Sequence, residues 1–460
     1  MTVKQYFENL QGKRVAVIGL GISNRPLVRM LLEHGIFVTC CDKTPREKLL
    51  PEVLELEKQG AKLKLGDDYL QNIEADVVFR TPGLNYNVPE LAALREQGAI
   101  VTSEMEAFFQ VCPCKIFAVT GSDGKTTTTT LIAKLLEGAG KKVYCGGNIG
   151  TPLLPLAEKM HPEDVAVVEL SSFQLMGMTD SPSMAVITNL SPNHLDIHKD
   201  MEEYVSSKEN IYLHQTEGDT VVLNLDNELT DALTPKARGN VLKFSRKKAV
   251  ERGYYLRGDN MICRRFDGAE TEIMNAKDIL IPGVHNIENY MAAVCAVDGL
   301  VEKNVMVELA KTFGGVAHRI ELVRVKDGVR YYDSSIDSSP NRTRAALRSF
   351  PEKVIMVAGG KDKGISYDDL GPELVEHVKI LVLTGMTAGK IRAAAENAPG
   401  YNGRNPVIID IEDFDEAIIT ASGMAKEGDV VILSPASTSF DRFRNFEERG
   451  DRFKKVVMSL

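Results

Sequence analysis

Long hydrophobic runs are missing from this chain of 460 residues. No stretch approaches the roughly 20 consecutive apolar residues that a membrane-spanning helix needs. The first residues, MTVKQYFENLQGKR, also lack the uninterrupted apolar segment of a signal peptide. We therefore expect a cytoplasmic protein without a membrane partner.

Paired cysteines are missing as well. The seven cysteines are odd in number, and no two of them have the spacing C-x-x-C. Neither a disulfide framework nor a zinc site is indicated, so buried, reduced thiols are expected. The cysteines lie at positions 40, 41, 112, 114, 145, 263 and 295.

Excess positive charge is the third absence. The formal net charge is -9, which argues against nonspecific nucleic-acid binding because that depends on a basic surface. Anionic small molecules stay open as ligands, since they need only a local basic pocket.

What is present indicates a large globular protein. The chain is too long for one ordinary core, and its length suggests about three domains. Strand and helix patterns alternate, which is typical of α/β proteins with parallel sheets. We predict a Rossmann-like domain over 1–111, a central phosphate-loop (P-loop) domain with a parallel sheet over 112–312, and a second Rossmann-like domain over 313–460.

The central domain begins with FAVTGSDGKTTTTTLIAKLL, residues 117–136. An apolar strand leads into a glycine turn and then into a helical stripe of leucine and isoleucine. Backbone N–H groups of such a turn can face phosphate oxygens, with Lys125 reaching a terminal phosphate and Thr126 holding Mg²⁺. Only two residues separate Gly121 from Gly124, whereas the usual formula has four. A purely structural turn and a nucleotide-regulated switch are the alternatives.

The first domain opens with a partial dinucleotide fingerprint. Gly19 and Gly21 follow the strand RVAVI, and Asp42 ends the next strand, where a ribose hydroxyl would be met. The third fingerprint position is Asn24 instead of glycine. A nicotinamide-dependent dehydrogenase and a nucleotide-sugar diphosphate site therefore both stay open.

Two further strands of the central domain end in polar residues. Glu169 and His194 follow them, and ligands of parallel sheets collect at such ends. A divalent-metal site beside the phosphate loop is indicated, with a surface carboxylate and a loop hydrogen bond as the alternatives. Lys208 falls in a helical pattern and is expected on a solvated face. The polar stretch 243–278 is expected to cap the domain.

The third domain shows the same plan of strands followed by polar loops. Lys363, Ser439 and Arg442 are natural anion contacts in those loops, with ordinary surface positions as the alternative. We expect a site along one rim of its sheet.

Taken together, the motifs resemble those of the Mur ligases of cell-wall synthesis, over essentially the whole chain. The matching segments are TGSDGKTT (120–127), GGNIGTPL (146–153), VELSSFQL (168–175), NLSPNHLD (189–196), SSKENIY (206–212), GVHNIEN (283–289), AHRIE (317–321) and LSPASTSFDRFRNFEERG (433–450).

This resemblance implies ATP-dependent amide formation through an acyl phosphate, joining UDP-N-acetylmuramoyl-L-alanine to D-glutamate for peptidoglycan. A related ligase adding another amino acid is the nearest alternative. The resemblance also implies a monomer whose partners are small-molecule substrates, with ATP and Mg²⁺ as cofactors.

Roles of individual residues are likewise implied by the resemblance alone. Catalysis would rest on Lys125, Glu169, His194 and Lys208. Mg²⁺ ligands would be Thr126, Glu169, His194 and Lys208, the lysine as a carbamate. The ATP contacts would be Gly121, Ser122, Asp123, Gly124, Lys125, Thr126, Thr127, Asn286, Asn289, Arg319 and Asp333. The UDP-sugar would meet Ile22, Ser23, Asp42, Thr81, Pro82, Gly83 and Asn148, and D-glutamate would meet Lys363, Ser439 and Phe446.

One segment departs from the family pattern. Members commonly read D-S-K-A-T-N where this chain has DSSIDS, residues 333–338. Ser335 thus replaces a lysine, and Asp337 replaces a threonine that touches the incoming amino acid. Asp123, where asparagine is usual, is a milder change.

Overall fold

The computed structural model describes residues 1–195 and 197–460. The chain forms two compact units, one of residues 1–278 with 287–309 and the other of residues 279–286 with 310–460. Three separate, mostly parallel sheets among the described residues confirm the predicted α/β class. No helix within the described residues is long and apolar enough to cross a membrane.

The first sheet lies in residues 15–102 and is entirely parallel, with the strand order β3-β2-β1-β4-β5. This is the order of a Rossmann-like half. The strands are β1 (Val15–Ile18), β2 (Val38–Asp42), β3 (Lys62–Leu65), β4 (Val77–Arg80) and β5 (Ile100–Thr102).

The central sheet has nine strands in the order β14-β13-β12-β11-β10-β9-β6-β8-β7. Its strands are β6 (Lys115–Thr120), β7 (Val143–Gly147), β8 (Val165–Glu169), β9 (Met184–Ile187), β10 (Thr220–Asn224), β11 (Asn240–Ser245), β12 (Gly253–Leu256), β13 (Met261–Phe266) and β14 (Ala269–Asn275). Only β13 runs antiparallel to its two neighbours. Within residues 243–278, the segment Gly253–Leu256 is β12, and β12 to β14 extend one edge of the sheet by backbone pairing.

The third sheet has the order β15-β16-β20-β17-β18-β19 and is parallel except for β15. Its strands are β15 (Glu321–Lys326), β16 (Val329–Asp333), β17 (Val354–Ala358), β18 (Val378–Leu383), β19 (Val407–Asp410) and β20 (Val430–Leu433). Alternate residues of β17 enter two cores. Met356 packs on one face with Leu374, while Val357 packs on the other with Phe453.

Helices cover the sheets, as the alternating pattern predicts. Those up to residue 213 are α1 (Val3–Glu8), α2 (Asn24–Glu33), α3 (Pro51–Lys58), α4 (Pro89–Glu96), α5 (Glu104–Val111), α6 (Lys125–Gly138), α7 (Ser172–Leu175) and α8 (Met201–Leu213). Those that follow are α9 (Glu228–Asp231), α10 (Val284–Ala296), α11 (Lys303–Thr312), α12 (Pro340–Leu347), α13 (Gly371–His377), α14 (Ala388–Glu396), α15 (Phe414–Gly423) and α16 (Phe446–Ser459).

The first two sheets share a hydrophobic core, which explains why they belong to one compact unit. Val17 and Phe79 of the first sheet lie in the same cluster as Ala118 and Val168 of the central sheet, with Phe108 of α5 among them. Three sheets are consistent with the three-domain layout. The boundaries at residues 111 and 312 stay a prediction.

Candidate active site

The turn after β6 can be built only with glycine at two positions. Gly121 has φ +148° and Gly124 has φ +78°. A Cβ on Gly121 would lie 2.0 Å from Thr188 Oγ1, and one on Gly124 would lie 2.1 Å from Asn289 Oδ1. Gly124 also precedes the first residue of α6, where a missing side chain leaves the helix N–H groups open to an anion.

Neighbouring segments hold the turn in place. The Ser122 N–H donates to Asn189 O at 2.8 Å, and the Asp123 N–H donates to Asn189 Oδ1 at 3.0 Å. Ser122 Oγ lies 2.8 Å from Tyr204 Oη and donates to Ser191 O at 3.0 Å. The Ser122 hydroxyl, predicted to contact ATP, is therefore engaged within the protein.

Lys125 bends back over its own turn. Its Nζ donates to Gly121 O at 3.1 Å and to Ser122 O at 3.0 Å. An ammonium held on two carbonyl groups at a helix N-terminus is placed beside the predicted phosphate position. The shortened glycine spacing is thus compatible with the role expected of this lysine.

Glu169 ends β8 and is only 1% exposed. Its Oε1 accepts a hydrogen bond of 2.8 Å from Asn148 Nδ2. Its Oε2 is buried and has no hydrogen-bond partner among the residues that the structure describes. A buried carboxylate oxygen without a partner is costly, and a divalent cation would satisfy it. The alternative of a surface carboxylate is wrong.

His194 lies in the loop after β9 and is exposed, with φ +55°. Its ring contacts that of Phe173, with the centroids 5.3 Å apart. This places His194 beside α7, the helix that follows Glu169 along the chain. Asp196, the last residue of the NLSPNHLD motif, lies outside the described residues.

The position of Lys208 differs from the one expected from the sequence. It was expected on a solvated face of α8, yet it is only 2% exposed. Its Nζ donates to Gly121 O at 2.8 Å and to Thr120 Oγ1 at 3.2 Å. Burial, together with the charge of Lys125, lowers the pKa of Lys208 well below its usual value. The lysine therefore belongs to the phosphate-loop region.

The first sheet gathers the residues predicted to bind the UDP-sugar, except Asn148 after β7, at the carboxyl ends of β1, β2 and β4. Asp42 Oδ2 accepts from the Leu20 N–H at 2.7 Å, and the Thr81 N–H donates to Ile18 O at 2.8 Å. Ser23 and the remaining predicted residues flank these contacts, and Ile22 is 70% exposed.

Asn24 has a structural role where the fingerprint would have its third glycine. Its Nδ2 donates to Gly19 O at 2.8 Å and to Ile18 O at 3.1 Å, and the residue is 2% exposed. The side chain thereby braces the turn between β1 and α2. An asparagine at this point explains how the turn keeps its shape without the glycine.

In the second unit, a hydrogen-bonded network surrounds Asp333. Asp333 Oδ2 lies 2.7 Å from His318 Nδ1, and its Oδ1 accepts from the Ser335 N–H at 2.9 Å. Burial alone would lower the pKa of His318, but the hydrogen bond and charge of Asp333 outweigh it and raise the pKa. Arg319, predicted to reach ATP, directly follows this histidine, which has φ +62°.

The same network contains a cluster with the donor set of a metal site. One ligand atom each of His318, Glu321 and Asp333 lies within 4.8 Å of the others. Glu321 Oε2, however, already accepts from the His318 N–H at 2.9 Å and lies 2.6 Å from Lys454 Nζ. These atoms are satisfied by protein groups, so the cluster is a protein-internal network.

Ser335 and Asp337, which depart from the family pattern in segment 333–338, are buried, and their side chains are hydrogen-bonded within the protein. Ser335 Oγ donates to Phe446 O at 2.8 Å and accepts from Arg449 Nε at 3.0 Å. Asp337 Oδ2 accepts from Ser434 Oγ at 2.8 Å. Burial raises the pKa of Asp337 to about 6, although hydrogen bonds from serine hydroxyls oppose the shift.

The residues predicted to hold D-glutamate lie in two loops of the second unit. Lys363 is exposed in the loop after β17, Ser439 is buried in the loop after β20, and Phe446 is half-buried at the start of α16. A cavity of about 890 Å³ lies nearby, with Lys361, Phe440 and Arg442 in its lining. Arg442 therefore sits on a rim of the sheet, as expected.

Sequence reasoning missed three residues that join these segments. Arg80 is buried at the end of β4 and donates to Phe173 O at 2.8 Å and Met176 O at 2.6 Å. His198 and Tyr204 are each 1% exposed near the phosphate loop. Arg80 lies at the end of a strand, and His198 lies in the loop that carries the NLSPNHLD motif. A polar residue in such a position is a sequence signal that could have indicated both. Tyr204 looked like an ordinary helix residue.

Comparison with known proteins agrees with this geometry. The Mur ligase middle domain matches residues 119–297, and the Mur ligase glutamate ligase domain matches residues 318–437. A UDP-N-acetylmuramoylalanine–D-glutamate ligase of Acetivibrio thermocellus is 50% identical over 100% of this chain and 99% of the relative. Proteins of the same name from Ruminiclostridium cellulolyticum and Clostridium novyi are 49% and 47% identical, each over 100% of this chain and 99% of the relative.

Solved structures show the same fold. A UDP-N-acetylmuramate–alanine ligase from Thermotoga maritima superposes with a TM-score of 0.56 at 20% identity, over 97% of this chain and 99% of the other. A UDP-N-acetylmuramoyl-L-alanyl-D-glutamate–2,6-diaminopimelate ligase gives 0.56 at 18% identity, over 97% and 92%. Family membership decides against a dehydrogenase. With about half of all residues identical over the full length of curated relatives, the chain belongs to the Mur ligase family of ATP-dependent ligases.

Proposed function

We propose that this ligase joins UDP-N-acetylmuramoyl-L-alanine to D-glutamate in the synthesis of the peptidoglycan precursor. The observation that carries the proposal is the 50% identity to a UDP-N-acetylmuramoylalanine–D-glutamate ligase over the whole chain. Two further relatives of 49% and 47% identity carry the same name. The substrates are small molecules, as for the ligase relatives.

The chemistry requires activation of a carboxylate, which is a poor electrophile. Its oxygen attacks the terminal phosphorus of ATP, so that ADP leaves and an acyl phosphate forms. The amine of D-glutamate then attacks the acyl carbon, phosphate leaves with the C–O electron pair, and the amine loses a proton. Water must be kept away from the acyl phosphate, which favours closure around the substrates.

The phosphate loop fits the ATP step. The open N-terminus of α6 and the Lys125 ammonium offer positive charge where the phosphates would lie. Asn289 packs against the loop at Gly124, within the same unit. Asn286, Arg319 and Asp333 are the other ATP contacts in this proposal, with Thr127 and the backbone of the loop.

The residues present also fit Mg²⁺. Thr126 and Glu169 would hold one ion, and the unpaired Glu169 Oε2 is the observation that supports it. His194 and a carbamylated Lys208 would hold a second. Burial and the charge of Lys125 lower the pKa of Lys208, which favours the neutral amine, the nucleophile that can attack the carbon of CO₂. When bound, the ions would offset charge repulsion at the transferred phosphoryl group.

In this proposal the second unit binds the acceptor, D-glutamate. Lys363, Ser439 and Phe446 would hold D-glutamate. Ser335 and Asp337 are occupied by internal hydrogen bonds, so they shape this region and do not replace the lysine and threonine of the family pattern as direct contacts. The UDP-sugar would lie along Ile22, Ser23, Asp42, Thr81, Pro82 and Gly83, with Asn148 toward the muramoyl group.

Phosphate release with a panel of substrates tests the proposal. With ATP, Mg²⁺ and UDP-N-acetylmuramoyl-L-alanine, sustained release should require D-glutamate and yield the amide product. L-Glutamate is the matched control for stereochemistry, and 2,6-diaminopimelate tests for a related ligase. Equal release without any acceptor, or amide formation with another amino acid only, would overturn the assignment. The monomeric state stays a prediction that analytical ultracentrifugation can check.

A further inference from the structure

Three ring side chains form a compact group beside the phosphate loop. We call Phe173, His198 and Tyr204 the ring cluster. The His198 ring stacks on Phe173 with centroids 5.0 Å apart and planes 9° apart. It meets Tyr204 edge-on, with centroids 5.3 Å apart and planes 75° apart. His198 and Tyr204 are each 1% exposed, so these contacts are fixed by packing.

The ring cluster contacts the predicted Mg²⁺ ligands His194 and Lys208 directly, and it contacts segments next to the other two, Glu169 and Thr126. Phe173 contacts the ring of His194, and His198 Nε2 lies 2.9 Å from Ser172 Oγ in α7, just after Glu169. On its other side, Tyr204 contacts the loop before α6 and also Lys208, one turn further along its own helix α8. Its Oη lies 2.8 Å from Ser122 Oγ, and the Lys208 Nζ lies 4.8 Å from its ring centroid.

His198 also lies between a serine and a glutamate, which is the order of a Ser-His-Glu hydrolytic triad. Ser172 Oγ lies on its Nε2 side, and Glu203 Oε2 lies 3.5 Å from its Nδ1. Ser172, however, is only 2% exposed, and a nucleophile must reach its substrate. The 3.5 Å approach of Glu203 also makes no hydrogen bond to Nδ1. Ser172, His198 and Glu203 therefore have a structural role and do not form a hydrolytic site.

We propose that His198 is a positioning residue that sets the distance between the His194 loop and the Glu169 strand end. It does so through its hydrogen bond to Ser172 and its stack on Phe173. Since Mg²⁺ demands a near-ideal octahedral arrangement of its ligands, loosening this contact should weaken metal binding. Binding of the UDP-sugar and D-glutamate involves other segments and should be spared. The inference rests on the proposed function.

Substitution of His198 tests this role. His198→Ala should weaken Mn²⁺ binding in the presence of a nonhydrolysable ATP analogue by about 10-fold, as for other residues that orient metal ligands. Electron paramagnetic resonance of Mn²⁺ measures this without turnover. The KM for Mg²⁺ should rise in parallel while the KM for D-glutamate stays unchanged. His198→Gln, which keeps a hydrogen-bonding group toward Ser172, should recover part of the affinity.

Controls separate positioning from stability. His161→Ala removes an exposed histidine of the same unit and should leave Mn²⁺ binding as in the unaltered protein. Melting temperatures of all variants show whether the fold is intact. Equal Mn²⁺ affinity of His198→Ala and the unaltered protein would overturn the inference, as would an equal rise of both KM values. Failure of the unaltered protein to bind Mn²⁺ with nucleotide would instead count against the proposed metal-dependent function.

A second, independent observation concerns two thiols between α5 and β6. Cys112 Sγ lies 3.5 Å from Cys114 Sγ, with only Pro113 between the residues. Cys112 is half-buried, and Cys114 is 8% exposed. A hydrogen bond from Cys112 lowers the pKa of the Cys114 thiol, which favours the reactive thiolate.

We propose that this pair is a site of reversible oxidation by peroxide. The Cys114 thiolate attacks one peroxide oxygen, the O–O bond breaks, and water leaves after protonation to give a sulfenic acid. The Cys112 thiol then attacks that sulfur, and a second water leaves. In total two thiols and one hydrogen peroxide give a disulfide and two waters. The sulfurs need to approach from 3.5 Å to about 2 Å.

Mass spectrometry of peptides tests the pair against the other thiols. With equimolar hydrogen peroxide, the peptide containing both residues should lose two hydrogens and regain them with dithiothreitol. Cys112→Ser should instead leave a sulfenic acid on Cys114 that dimedone traps. Cys145→Ser, which removes an exposed thiol, should still form the disulfide. Oxidation of Cys145 while the pair stays reduced would overturn the proposal.

Discussion

The carboxyl edge of the central sheet and that of the third sheet differ in how their buried carboxylates are satisfied. At the central sheet, Glu169 Oε2 finds no hydrogen-bond partner within the described part of the chain. At the third sheet, both oxygens of Asp333 are engaged, by His318 and by the Ser335 N–H. The unpaired oxygen at the first edge supports the proposed cation site, whereas the Asp333 carboxylate at the second edge is already hydrogen-bonded within the protein. Substitutions should therefore cost function at the first and stability at the second.

The largest expected effect is at Lys125. Lys125→Ala should lower kcat by about 10³-fold, because it removes a positive charge from the phosphate site. The melting temperature should change little, because the hydrogen bonds that the ammonium donates to Gly121 O and Ser122 O stay within the turn. Lys134→Ala, an exposed lysine on the same helix, is the control. Loss of the fold in Lys125→Ala would mean that the turn is structural.

Glu169→Gln should separate function from stability most clearly. We expect kcat to fall by about 10²-fold, with weaker dependence on Mg²⁺ concentration, because the proposed Mg²⁺ site loses a charged ligand. Unfolding in urea should require more denaturant, since the neutral amide removes a buried charge. Glu158→Gln, at an exposed position, should change neither. A destabilised Glu169→Gln variant would break the comparison between the two edges.

At the third sheet, Asp337 should contribute a pH dependence of stability. Its folded pKa of about 6 exceeds the unfolded value of about 3.9, so the folded state binds more protons between these values. Stability should therefore fall as the pH rises from about 4 to about 6, by up to about 3 kcal/mol. Asp337→Asn should flatten this part of the curve in urea unfolding. Identical curves for both proteins would contradict the expected burial cost.

The smallest expected effect is on stability, and it tests whether Gly124 is required in the phosphate-loop turn. Gly124 and Gly140 both have φ +78°, but only Gly124 has an atom in the path of a Cβ. Gly140→Ala should cost about 1 kcal/mol of unfolding free energy from backbone strain alone. Gly124→Ala should cost about 1 kcal/mol more, because Asn289 must shift. Urea unfolding measures both. Equal losses of unfolding free energy in the two variants would show that the Asn289 side chain can move aside without an energetic penalty.

Local patterns made part of the site predictable. The strand, turn and helix around Gly121 and Lys125 are encoded by neighbouring residues, and Glu169 was found because polar side chains at parallel strand ends meet at one edge. Lys208 was misread because its burial depends on which side of α8 packs against the turn, and helix statistics do not contain that information. The family resemblance, and not periodicity, indicated its role.

The sequence by itself determined the α/β class, the order of strands and helices, the phosphate-loop turn and the family to which the chain belongs. These properties depend on residues close in sequence or on several motifs in a fixed order. Tertiary structure alone decided the burial of Lys208, the unpaired oxygen of Glu169, the ring cluster around His198 and the internal use of Asp337. Each of these depends on which distant segments pack together, because desolvation and hydrogen bonding are set by neighbours in space and not by neighbours along the chain.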